Sequence, residues 1–123
     1  EIVVNGGITD VGQVDSALEY VDGVMIGRQA YHQPWLLAEL EQHFDPDFEV
    51  PSRRAIIERM VPYIERQLEE GERLGRITRH MVGLFAGMPG ARAWRRYLSE
   101  NAYRENAGVE VLFAALDAMP VAA

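Results

Sequence analysis

Two short apolar runs near the start of the chain limit its possible folds more than any other feature. The first covers Glu1–Val4 and is stopped by the turn residues Asn5–Gly7. The second covers Val24–Ile26 and is stopped by Gly27. Both runs are rich in β-branched side chains, which is typical of short strands that are buried on both faces. We therefore predict two buried strands, each followed directly by a glycine turn.

The segment between these strands has the spacing of a helix. Thr9 is a suitable N-cap, and apolar side chains recur at Val11, Val14 and Leu18. A crossover of this length is too long for a tight hairpin. The order strand, helix, strand therefore favours a parallel βαβ unit.

Beyond the second strand the pattern becomes helical. Pro34 suits the first turn of a helix over Trp35–Phe44. Residues 45–51 contain two prolines and are predicted to form a linker. We therefore assign residues 1–44 to an α/β unit and residues 52–123 to an all-α unit.

The all-α unit is predicted to contain four helices. The first is capped by Ser52 and contains Pro62, where we expect a kink. Two more are expected at 76–85 and 91–101, and the fourth has an i, i+3, i+4, i+7 stripe of apolar residues. That stripe consists of Val109, Leu112, Phe113 and Leu116. The short loops between the helices favour an antiparallel four-helix bundle.

The charge of the chain is distributed unevenly. The net charge is −7 at pH 7, yet residues 73–105 carry seven Arg and only two acidic residues, Glu100 and Glu105. All 12 basic residues are Arg, whose planar guanidinium groups suit phosphate oxygens. This local excess of positive charge points to a polyanionic partner. A solvated face held by salt bridges is the alternative.

Helical spacing places five of these seven arginines on the outer sides of the two helices predicted at 76–85 and 91–101. The opposite sides carry apolar residues such as Trp94 and Leu98, which are expected to form the core. A polyphosphate backbone, bound more weakly as salt rises, is the ligand that fits this pattern. An acidic protein segment is the other candidate. The side chains expected to face outward are Arg76, Arg79, His80, Arg92, Arg95 and Arg96.

The two glycine turns form a second candidate site, because both follow parallel strands and must lie at the same edge of the sheet. Glycine lets backbone N–H groups approach an anion closely, and the N-terminus of a following helix adds positive potential. In an eightfold βα barrel, the last loops hold a cofactor phosphate in this way. Two ordinary turns beside a surface Arg are the alternative. The candidate residues are Asn5, Gly6, Gly7, Gly27 and Arg28.

Several classes of protein are excluded or disfavoured by composition. The absence of Cys rules out disulfides, thiolate metal sites and a cysteine nucleophile within these residues. His32 and His43 are too separated to indicate a metal site. No apolar run reaches the ~18 residues of a membrane span, and no leader is visible, so we expect a cytoplasmic protein. The chain begins at Glu1 without Met, which we interpret as a cut through a larger protein.

Two stretches resemble the C-terminal signature of the A-type tRNA-dihydrouridine synthases. They are Arg76–Phe85 and Pro89–Glu100. Upstream, Asn5–Ile8 and Asp22–Arg28 resemble the end of that family's flavin-binding barrel. Gln33–Trp35 is similar to the start of the helix that follows the barrel strand. The resemblance covers essentially the whole chain.

The resemblance implies the last two βα units of an FMN-binding TIM barrel, followed by a tRNA-binding helical domain. It implies an enzyme that reduces D-loop uridines 20 and 20a to dihydrouridine, with FMN as cofactor and NADPH as reductant. On this basis the FMN phosphate contacts are Asn5, Gly6, Gly7, Gly27 and Arg28. The tRNA contacts are Arg92 and Arg95 first, and then Arg76, Arg79 and Arg96.

The chain departs from that family in one respect. The family uses a cysteine as general acid, and this chain has none. We therefore expect no catalytic residue here and no activity from these residues alone. We also expect the isolated two-stranded sheet to expose its edges and to self-associate. The alternatives are a stand-alone helical RNA-binding module, or the barrel end of another FMN oxidoreductase such as a relative of dihydroorotate dehydrogenase.

Overall fold

The computed structural model describes residues 1–120. The chain divides into two compact units, one over Glu1–Val50 and one that begins at Pro51.

The first unit is built around two parallel strands. Strand β1 spans Val3–Asn5 and strand β2 spans Gly23–Met25. They pair in parallel, with Asn5 opposite Met25 at the end of the ladder. Helix α1, Val11–Leu18, connects them and packs against β2. The parallel βαβ unit predicted from the sequence is therefore confirmed.

Two details of this unit differ from the sequence prediction. Asp10, and not Thr9, is the N-cap of α1, because its carboxylate accepts a hydrogen bond from the Gln13 N–H at 2.8 Å. The strands were expected to be buried, but Val3 and Met25 are 56% and 47% exposed. The helices of this unit cover the short sheet only in part, so much of its apolar surface faces solvent.

Two more helices complete the first unit. Helix α2 spans Arg28–His32, and helix α3 spans Trp35–Phe44 directly after Pro34, as predicted. Both α1 and α2 pack against α3. The small core of this unit includes Val14 and Leu36, which are 2% and 5% exposed.

The second unit opens with its longest helix. Helix α4 spans Arg53–Glu69, and the Ser52 hydroxyl accepts a hydrogen bond from the Ala55 N–H at 3.0 Å, so the predicted cap is confirmed. Pro62 lies inside the helix and cannot donate a backbone hydrogen bond there. Ile57 and Ile64 are fully buried.

A glycine ends α4 by a well-understood mechanism. Gly71 has a φ of +96°, which favours glycine. Its N–H bonds the Leu68 carbonyl, and the Glu72 N–H bonds the Gln67 carbonyl. This pair of hydrogen bonds is the Schellman motif, which satisfies carbonyls left open at a helix end.

The predicted helix over 76–85 is wrong, because the structure divides this segment. Helix α5 spans only Leu74–Thr78, and a 3₁₀ helix spans Val82–Phe85. Between them the Met81 N–H bonds the Thr78 carbonyl at 2.8 Å, which tightens the chain into an i to i+3 turn. Gly75 lies inside α5, where a Cβ would meet the Tyr103 ring.

The last two helices follow the prediction. Helix α6 spans Ala91–Asn101 and helix α7 spans Glu110–Ala118, and the two pack against each other. Gly90, with a φ of +88°, makes the turn into α6. The core here consists of Leu84, Phe85, Trp94, Leu98, Leu112 and Ala115.

Candidate functional sites

The two glycine turns lie side by side, as the sequence predicts. Because Asn5 pairs with Met25, both strands end at the same edge of the sheet, and each chain then enters its turn. A cavity of about 650 Å³ opens at this edge. All five predicted phosphate residues line it, namely Asn5, Gly6, Gly7, Gly27 and Arg28.

The backbone of the first turn is shaped for close approach by a ligand. Gly6 and Gly7 have φ angles of +125° and +70°, in the region that side-chain-bearing residues avoid. A Cβ added at either position would meet nothing within 4 Å. Backbone conformation therefore requires these glycines, and open space lies in front of them.

The positive potential at this cavity comes from fewer groups than expected. The Asp10 carboxylate already accepts a hydrogen bond from one N–H at the N-terminus of α1, that of Gln13, whose side chain in turn accepts one from the Thr9 N–H at 2.7 Å. Helix α2 has no side-chain cap after Gly27 but is only five residues long. Arg28 is exposed and lines the cavity, so its guanidinium group is the main positive charge available to an anion there.

The arginines of α6 lie outside the core, as predicted. Arg92, Arg95 and Arg96 are exposed, whereas Trp94 and Leu98 are 0% and 2% exposed. The Trp94 ring lies 4.8 Å from that of Phe85, centroid to centroid. Trp94 therefore belongs to the core and is not a platform for a nucleobase.

Arg76 of α5 and Arg79 at its C-cap are also exposed, and both precede the break in the predicted helix. Arg76 and Arg79 line one cavity of about 410 Å³. Arg79 also lines a smaller cavity of about 140 Å³ together with Arg95 of α6. Arg79 therefore connects the two groups of cations. We call the set Arg76, Arg79, Arg92, Arg95 and Arg96 the arginine surface.

Two members of the arginine surface are engaged by carboxylates. Arg96 donates to Glu100 at 2.9 Å, and that hydrogen bond, followed by the carboxylate charge, raises the pKa of Arg96 above its ordinary value. Arg76 lies 3.7 Å from Glu72. Glu72 was missed because it precedes the arginine-rich window, although its i, i+4 spacing to Arg76 is a readable signal.

Other members keep their charge available. Arg79 donates from Nε to Nε2 of its neighbour His80 at 3.2 Å. No ion pair found among residues 1–120 involves Arg92 or Arg95. The strongest anion contacts are therefore expected at these two residues.

The described residues contain neither a metal-binding cluster nor a membrane-spanning helix. Within residues 1–120 there is no cluster of three or more His, Cys, Asp or Glu that could hold a metal ion. His43 instead contacts the Asp15 carboxylate at 2.8 Å. None of the described helices is both long and apolar enough to cross a lipid bilayer.

The sequence matches the dihydrouridine synthase family over residues 1–119. The chain belongs to this family. The match includes both the glycine turns and the arginine surface, so it favours the dihydrouridine synthase interpretation over a stand-alone RNA-binding module or another oxidoreductase.

Individual relatives agree with the family match. The chain is 55% identical over 112 residues to the tRNA-dihydrouridine(20/20a) synthase of Shewanella oneidensis, covering 90% of this chain and 33% of that protein. It is 50% and 51% identical over 120 residues to the proteins of that name from Vibrio vulnificus and Vibrio cholerae. Each of these alignments covers 97% of this chain and 37% of the relative. The chain thus spans about a third of the length of these relatives.

Proposed function

We propose that this chain is the C-terminal part of a flavin-dependent tRNA-dihydrouridine synthase that reduces D-loop uridines 20 and 20a to 5,6-dihydrouridine. The observation that carries the proposal is identity of about half of the residues to relatives of that name across 90–97% of the chain. The two sites described above supply the parts such an enzyme needs, a phosphate cradle and a polycationic surface.

The cavity at the strand ends fits the phosphate of FMN. Gly6 and Gly7 present accessible backbone, and Arg28 supplies a cation. Asn5 and Gly27 complete the lining. When bound, FMN reduced by NADPH supplies the hydride for the uracil ring. The residues of this chain hold the phosphate end of the cofactor and so orient it. We propose that residues 1–44 are the last two βα units of a TIM barrel.

The arginine surface fits the phosphate backbone of tRNA. Its guanidinium groups are exposed, and Arg79 links the cations of α5 to those of α6. Gripping the tRNA by its backbone would hold the D-loop in place while the target uracil leaves its stack for the flavin. We propose that residues 52–123 form a tRNA-binding helical bundle joined to the barrel by a linker at 45–51.

Three further parts of the proposal follow from composition and exposure. The chain contains no Cys, so a cysteine general acid like that of the family would come from outside these residues. The isolated chain is therefore inactive in our proposal. As a separate point, we propose that the complete protein acts in the cytoplasm. Ile2, Val3 and Met25 are 62%, 56% and 47% exposed, which supports self-association of the isolated chain through its sheet. Light scattering that gave a monomer at high concentration would refute this last point.

The test uses the complete protein with FMN, NADPH and unmodified tRNA. We expect two hydrogens to be added per target uridine, as measured by mass spectrometry of the digested tRNA. Arg28→Ala should lower the bound FMN, whereas Arg92→Ala with Arg95→Ala should leave it unchanged and lower the reduction at limiting tRNA. Full FMN occupancy without any dihydrouridine in the product would refute the proposed activity.

A further inference from the structure

The cavity between α4 and α5 contains residues that neither proposed site uses. It has a volume of about 410 Å³, which is in the range of pockets that hold small organic ligands. Arg76 and Arg79 of the arginine surface form part of its lining. The remaining lining residues are Met60, Tyr63, Gln67, Glu72, Ile77, His80 and Met81.

One wall of the cavity is a single face of α4. Met60, Tyr63 and Gln67 are spaced by three and four residues, so they lie next to one another along the helix. Tyr63 is 43% exposed, whereas Ile57 and Ile64 of the same helix are fully buried in the core. The ring of Tyr63 therefore lies outside the core stripe and is accessible from the cavity.

The opposite wall carries the cations. Arg79 is oriented by its hydrogen bond to His80 at 3.2 Å, and Arg76 lies near Glu72 at 3.7 Å. Ile77 and Met81 add apolar lining to the cavity. An accessible aromatic ring thus lines one cavity together with methionines, an amide and two guanidinium groups.

This combination has the chemistry that recognises an unstacked nucleotide. Single-stranded RNA is bound by stacking of bases on aromatic rings, hydrogen bonding to base edges and electrostatic contact with phosphates. An acidic peptide would use the two arginines but leave the Tyr63 ring and the Gln67 amide without a role. RNA therefore accounts for more of the cavity than an acidic protein does.

We propose that this cavity holds one unstacked nucleotide from a single-stranded loop of the bound tRNA. Its base lies against the ring of Tyr63 and the side chain of Met60. Gln67 hydrogen-bonds the edge of the base, and Arg76 and Arg79 contact the adjacent phosphates. Tyr63 and Gln67 are then specificity-determining residues. The inference rests on the proposed function, because it requires tRNA on the arginine surface.

The first test measures tRNA affinity of the complete protein with two substitutions at one position. Tyr63→Leu keeps apolar bulk but removes the ring, and it should weaken binding at least about fivefold, the smallest effect typical of a lost base stack. Tyr63→Phe keeps the ring and should bind like the wild type. Tyr20→Leu is the matched control, because Tyr20 is 84% exposed in the first unit and should not affect binding.

The second test locates the nucleotide. The same affinities are measured with tRNAs that carry one abasic site at successive positions of each single-stranded loop. At the position that enters the cavity, the abasic site should cost at least as much as Tyr63→Leu, because it also removes the contact with Gln67. The two changes together should cost no more than the abasic site alone. If Tyr63→Leu lowers the thermal stability, Gln67→Ala replaces it in the same cycle.

The outcomes separate this inference from the proposed function. Wild-type affinity in Tyr63→Leu and Gln67→Ala, or losses that add at every abasic position, would overturn the nucleotide site and leave tRNA binding intact. Failure of the wild-type protein to bind tRNA would overturn both. Binding of an acidic peptide that is abolished by Tyr63→Leu would assign the cavity to a protein partner instead.

Discussion

Replacing Arg92 and Arg95 by Ala should weaken tRNA binding and flatten its dependence on salt. Both side chains are exposed, and no ion pair within residues 1–120 involves them. Each is therefore available to neutralise one phosphate and to release its counterion. The complete protein with both arginines should bind tRNA with a steeper salt dependence than the double variant.

The magnitude follows from the number of contacts. One neutralised phosphate contributes about 0.7 to 0.9 to the slope of log affinity against log salt, so loss of two should reduce the slope by about 1.4 to 1.8. Between ~50 and ~200 mM salt, the double variant should therefore lose about tenfold less affinity than the wild type. Fluorescence anisotropy of labelled tRNA over this salt range measures the slope.

An exposed ion pair outside the arginine surface supplies a matched control. Arg54 lies 3.4 Å from Glu58, so replacing both by Ala removes two exposed groups with no change of net charge. This variant should keep nearly the wild-type slope. Equal slopes in all three proteins, or an equal loss in both double variants, would refute the assignment of Arg92 and Arg95 to phosphate contacts.

The remaining predictions concern one charge and two packing features. Glu100→Gln should release Arg96 and steepen the salt slope by up to about 0.9, and a shallower slope would contradict this. Trp94→Ala should lower the free energy of unfolding by about 3–5 kcal/mol. Trp94→Phe should lower the free energy of unfolding far less, because it also removes a buried Nε1–H that has no hydrogen-bond partner in the described chain. Such a buried group costs about 1–3 kcal/mol. Similar losses in urea titrations of the two variants would count against this reasoning. Gly75→Ala places a Cβ against the Tyr103 ring and should lower the free energy of unfolding by about 1–3 kcal/mol. In a Tyr103→Ala background the same change should raise it by about 1 kcal/mol.

Much of the fold could be predicted because its signals are local. The parallel strands follow from two apolar runs separated by a helical spacing, and α6 follows from its strongly sorted faces. The Ser52 cap is a property of a few adjacent residues. The choice of Asp10 over Thr9 was missed because both residue types are good caps, and only the hydrogen bonds made with Gln13 distinguish them.

The break after α5 could not be predicted from periodicity. The run after Arg76 fits a helix, but Thr78 is 1% exposed, and the chain turns there through i to i+3 hydrogen bonds. Tertiary packing overrides the local preference at this point. Arg76 and Arg79 nevertheless share one helical turn, because Arg79 is the C-cap of α5 and its N–H bonds the Gly75 carbonyl.

The candidate sites were predictable to the extent that they depend on sequence neighbours. The five residues of the glycine turns lie around one cavity because parallel strands end at one edge. The pair between Glu72 and Arg76 has a spacing that can be read from sequence. The position of Tyr63 in one cavity with Arg76 and Arg79 could not be predicted from the sequence, because it depends on the packing of α4 against α5.

The most direct test of the central claim is a structure of the complete protein with unmodified tRNA. The account predicts phosphate oxygens within hydrogen-bonding distance of the guanidinium groups of Arg79, Arg92 and Arg95. A complex in which the tRNA lies on another surface, and these three side chains contact only solvent, would contradict it.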